Sequence, residues 1–141
     1  MSNKSEKNQE MVKEMAKIFY PNDALKRLKC IDFMGYEFND NYNKPTYHHI
    51  EKASSLREQN ISDNATFDNG AILGEASHEA LHIIEDEDIE LYNDWNRLFE
   101  KINRSRLQYW DEFIPEIIEL QERSQVVLDA YWGKRGSKGE R

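Results

Sequence analysis

Apolar residues at Met11, Met15, Ile18 and Phe19, with Val12 and Ala16 between them, follow a helical spacing that stops at Pro21. Met1 to Glu10 is polar throughout, which predicts a flexible lead-in. Asp23 is placed to cap a second short helix through about Ile31, with Leu25, Leu28 and Ile31 on one face, and Gly35 ends it. The period then changes. Tyr36 to Phe38 and Thr46 to Ile50 read as two arms of a β segment around the turn-rich run Asn39 to Asn43. A polar loop from Glu51 to Asn64 follows, then an Asn69-Gly70 turn and a short strand from Ala71 to Leu73. A helix opens near Ser77, whose hydroxyl is placed to cap it.

The next helix runs to about Arg106 and carries one apolar stripe, Leu91, Trp95, Leu98 and Ile102, with Tyr92 and Phe99 beside it. The acidic run Glu85 to Asp88 ahead of it suits the positive end of the helix dipole. A last helix, about Asp111 to Trp132, tolerates Pro115 only in its first turn and carries Phe113, Ile117, Leu120, Val127 and Tyr131. Gly133 opens a Gly- and Lys-rich tail, residues 133–141, expected to be flexible and basic enough to touch nucleic acid. There is no internal repeat, Gly-rich phosphate loop or nucleophilic serine motif.

At 141 residues the chain suits one domain, taken as residues 11–132, with a single modest core. Its mean hydropathy of −0.90 belongs to a very polar protein, and no run approaches a membrane span. The first twenty residues lack the apolar centre of a secretory signal, so a cytoplasmic setting is expected. The lone Cys30 has no internal disulfide partner, reads as a small buried apolar residue, and excludes a paired-cysteine zinc site. The net charge is −8, concentrated in residues 61–132, where five Lys or Arg stand against seventeen Asp or Glu. Such a balance opposes DNA binding unless the cations gather on one face. Lys13, Lys17, Lys26, Arg27 and Lys29 form the densest basic group in the body of the chain, and Lys52 and Arg57 lie in the polar loop.

All four histidines fall between Tyr47 and Glu85, as His48, His49, His78 and His82. On a helix, His78 and His82 share one face with β-carbons about 5–6 Å apart, close enough to grip a single ion. A third donor from His48 or His49 would complete three protein ligands with an open position, the arrangement that metal-dependent hydrolysis needs. Neighbours on a strand point to opposite sides, so one of the pair faces the metal and the other is free for different work.

Tyr47-His48-His49-Ile50, Asp68-Asn69-Gly70-Ala71-Ile72-Leu73 and Ser77-His78-Glu79-Ala80-Leu81-His82 together resemble the HNH, or ββα-metal, nucleases, in particular the metal-only branch that includes the colicin-type nuclease domains. The run Ile31 to Tyr36 is similar to small HNH proteins of phages and bacteria. The resemblance covers about residues 35–85 and implies an α+β fold: a ββα-metal core flanked by short N-terminal helices and two longer C-terminal ones. It implies one divalent ion (Mg, Mn, Ni or Zn) on His48, His78 and His82, with DNA as the substrate. His49 becomes the general base, an imidazole titrating near pH 6.5 being suited to that work, and Asn69 braces the loop beside it. The chain departs from many relatives at Ser54-Ser55, where they carry a Gly-Gly pair. The acidic 61–132 segment also suits a different class, a catalytically weak or inactive ββα-type binding or regulatory module of phage or mobile-element origin that meets a basic protein partner.

Overall fold

The computed structural model describes residues 4–19, 31–38, 44–50, 69–105 and 111–139. These residues form a mixed α+β fold. Helix α1 (Lys4–Phe19) is followed by strands β1 (Pro45–His49) and β2 (Gly70–Gly74), then helices α2 (Glu75–Glu87) and α3 (Ile89–Ser105). A 3-10 turn, Asp111–Phe113, leads into α4 (Ile114–Gly139). The helix expected from Asp23, the Asn39–Asn43 turn, the Glu51–Asn64 loop and Cys30 lie outside the described residues.

Helix α1 starts seven residues before its apolar pattern, so Lys4 to Glu10, expected to be flexible, is helical. Lys, Glu and Gln are good helix formers and no Gly or Pro interrupts them before Pro21, so the helix extends past the stretch that packing requires. Its inner face buries Met15 and Phe19, and Phe19 meets Phe33 edge to face at 5.2 Å.

The strands pair differently from the expectation. β1 is antiparallel to β2, with Thr46 opposite Leu73 and His48 opposite Ala71, while Glu37 forms an isolated bridge with Ile31. Alternation identifies a strand's faces and leaves its partner open, so Tyr36–Phe38 does not take the pairing with Thr46–Ile50 that its pattern suggests. β2 is buried along its whole length. One edge carries β1, and the other receives the Phe33 N–H on the Ile72 carbonyl at 3.0 Å, so the loop of residues 31–38 covers that edge. Gly35 turns this loop at φ 87°, where a Cβ would also strike Gln121 and Ile117 of α4.

Helix α3 matches its predicted stripe: Leu91, Trp95, Leu98, Phe99 and Ile102 are fully buried. Asp88 caps it, accepting the Leu91 N–H at 3.1 Å. Trp95 stacks on Phe99 at 5.8 Å and donates its indole N–H to Ser124 of α4 at 2.8 Å. α4 places Pro115 in its first turn as expected and continues to Gly139, into the stretch read as a flexible tail. No described helix is long and apolar enough to cross a membrane.

Candidate functional site

β2 runs into α2 without an intervening residue, which brings the strand and helix histidines together. The helix begins at Glu75, two residues earlier than expected. Ser77 does not cap it: Gly74 is the N-cap and makes no side-chain cap bond. The polar groups at this end are satisfied from a distance. Asp32, fully buried, accepts the Gly74 N–H at 2.9 Å and bonds the Ser77 hydroxyl. Its other oxygen takes the N–H groups of Met34 at 2.9 Å and Tyr36 at 3.0 Å. Burial pushes the Asp32 carboxyl up, partly offset by these donors. A carboxylate at a helix N-terminus also meets the positive end of the dipole.

Along β1, Thr46 and His48 share one face and Tyr47 and His49 the other. His48 is buried, 5.5 Å ring to ring from His78 and 5.6 Å from Phe99. His78 and His82 lie one turn apart on α2 with ring centres 4.9 Å apart and nearly parallel. The three imidazoles run from the core outward, ending at His82, whose side chain is 64% exposed and 3.7 Å from Glu85. His49 packs edge-on to Tyr47 at 4.8 Å on the opposite face of the strand. Asn69 sits just before β2, its carbonyl accepting the Ile50 N–H at 2.8 Å and closing the hairpin beside His49.

Burial holds His48 down to about 3, opposed by its bond to Asn96 and reinforced by His78, His82 and His49. Burial, His82 and His49 hold His78 down to about 4. Both rings are therefore neutral at pH 7, the state in which an imidazole can donate a lone pair. Two imidazoles sharing a tetrahedral ion at bonds of about 2.0–2.1 Å have ring centres roughly 5 Å apart, and both neighbouring pairs here meet that spacing. Convergence is less complete. Among the described residues, no three His, Cys, Asp or Glu side chains are arranged to hold one ion as they stand. His48 Nε2 lies 2.8 Å from Asn96 Oδ1, so the ring donates there and keeps its lone pair on Nδ1. Ligation by His48 thus uses Nδ1 or displaces Asn96.

Lys26, Arg27, Lys29, Lys52 and Arg57, the expected nucleic-acid contacts, lie outside the described residues. Lys17 is exposed on α1 and paired with Glu14 at 3.2 Å. Thr46, Asn96, Asn103 and Asp32 were missed by the sequence reading. Asn96 and Asn103 fall in register with Tyr92 and Phe99 at helical spacing, and a polar residue inside an apolar stripe is the signal that could have marked them. Asn103 donates to the Gly70 carbonyl at 2.6 Å. Gly70 has no left-handed backbone; it is needed because a Cβ would strike the Tyr47 ring and stand 2.9 Å from Met15 Sδ. A groove between α2 and α4, lined by Met34, Tyr36, Ser77, Ala80, Ser124 and Leu128, is largely apolar and carries none of the histidines.

Against family models, characterised proteins and solved structures, the chain gives no significant match.

Proposed function

We propose that the chain is a metal-dependent endonuclease of the HNH, or ββα-metal, kind, hydrolysing a DNA phosphodiester with one divalent ion. The observation that carries this reading is a hairpin running directly into a helix, with one strand histidine and two helix histidines gathered ring to ring. In this reading His48, His78 and His82 hold Mg, Mn, Ni or Zn as neutral donors. A bound divalent ion supplies positive charge to the scissile phosphate and the departing 3′ oxygen. His49, on the other side of β1, takes the proton of the attacking water, and Asn69 keeps the strand end that carries it in place. A bacterial or phage-encoded setting in the cytoplasm belongs to the same proposal.

Plasmid cleavage at low salt, with EDTA and separately with magnesium, manganese, nickel and zinc, tests it. Wild type should nick DNA only with an ion, and His49→Ala should bind the ion and leave DNA intact. Cleavage by His49→Ala at the wild-type rate would remove His49 as the base.

A second reading has its own observation. α2, which carries His78 and His82, holds five Asp or Glu and no Lys or Arg. Such a helix repels phosphate and suits a basic protein surface, which favours a binding or regulatory module. Stoichiometric metal binding by wild type without cleavage under any ion would select it.

A further inference from the structure

The Thr46 hydroxyl lies 2.7 Å from the Leu73 carbonyl oxygen and 2.9 Å from His78 Nδ1. A carbonyl oxygen only accepts, so the single hydroxyl proton goes to Leu73. The hydroxyl therefore meets the imidazole as an acceptor, and Nδ1 brings the proton. In the neutral ring this leaves the lone pair on Nε2.

We infer that Thr46 is a positioning residue for His78: it holds the ring in the Nδ1–H form, so that Nε2 is the nitrogen offered to a divalent ion. The ion belongs to the function proposed above; the tautomer does not depend on it. The device is prearranged by the hairpin. Thr46 and Leu73 are cross-strand partners, so the carbonyl that orients the hydroxyl is held by the sheet, and Leu73 is fully buried. The link spans strand and helix, fixing the ring's rotation as well as its proton. His78 thereby stands between His48, bonded to Asn96, and the exposed His82, and both inner imidazoles are held by a polar partner.

Two-bond proton–nitrogen spectra of the imidazoles in the EDTA-treated full-length chain, with His78 assigned through His78→Gln, test this directly. Wild type should show His78 protonated on Nδ1. Thr46→Val, which keeps the shape and removes the hydroxyl, should lose that tautomer, and Thr46→Ser should retain it. In zinc and nickel titrations Thr46→Val should bind about 10–100-fold more weakly than wild type, with Thr46→Ser close to it. A wild-type His78 protonated on Nε2, or a Thr46→Val protein with unchanged tautomer or unchanged affinity, would overturn the inference. If the tautomer behaves as expected while no form of the chain binds an ion, the positioning role stands and the nuclease reading falls.

Discussion

Asp32 and Gly74 are 42 positions apart in sequence, yet the carboxylate of one accepts the backbone N–H of the other at 2.9 Å, at the point where β2 becomes α2. The bond makes the loop of residues 31–38 a remote cap for the helix that carries His78 and His82. Asp32→Ala should orphan several buried donors, at about 1–3 kcal/mol each, and lower stability by roughly 3–5 kcal/mol. Asp32→Asn should be milder and more local. Its amide oxygen can still serve Met34 and Tyr36, while its NH₂ faces the Gly74 N–H. Hydrogen exchange should show the loss concentrated at the start of α2, and uniform loss across the chain would contradict the remote-cap role.

Acid should unfold the metal-free protein earlier than an ordinary acidic domain. The folded-state pKa values of His48 and His78 are depressed, to about 3 and about 4, so each contributes stability that is present above the unfolded value near 6.5 and lost as the pH falls from there toward the folded value. For a fully perturbed buried His48 the loss reaches roughly 2 kcal/mol by pH 5. Asp32 works the other way, because its raised pKa lets the folded chain take a proton first. Denaturant titrations between pH 7 and 5 should give a stability slope that falls toward acid, set by the two histidines. His48→Gln should flatten it, and an unchanged slope would contradict the burial of a neutral ring.

Glycine at position 70 should be needed for packing rather than for its turn. Gly70→Ala should cost about 1–3 kcal/mol by overpacking against Tyr47 and Met15, and it should disturb His49, which leans on the same Tyr47 ring. Gly133→Ala meets open space and should stabilise α4 by about 0.5–1 kcal/mol. Thermal melts of the two variants check both signs.

Metal should act as a folding ligand. An ion at one hundred times its dissociation constant adds about 2.7 kcal/mol to the folded state, so zinc should raise the melting temperature by several degrees and EDTA should reverse it. His78→Ala and His82→Ala should abolish the shift, while His49→Ala keeps it. Unchanged shifts in both ligand variants would exclude them as ligands.

What the sequence made legible was local. The stripe Leu91, Trp95, Leu98 and Ile102, the first-turn Pro115 and the one-turn spacing of His78 and His82 each depend on residues a few positions apart, and the structure has them in place. The polar frame was hidden because its bonds are long-range: Asp32 to Gly74, Thr46 to His78 and His48 to Asn96 join residues 42, 32 and 48 positions apart. A buried polar side chain is read only from its partner, which periodicity does not supply. The β pairing failed for the same reason, and α1 began early because Lys and Glu form helix without an apolar pattern to announce it.

The aromatic packing of α3 gives the molecule an optical reporter. His48 touches Phe99, and Phe99 stacks on Trp95, whose indole is sealed from water and tied to Ser124. Its emission should be blue-shifted relative to that of Trp132, which is 52% exposed, and is isolated in a background that replaces Trp110, the third indole, with Phe. A quenching ion such as nickel at the histidines would sit two aromatic contacts from the buried fluorophore, so occupancy could be followed by light without a label.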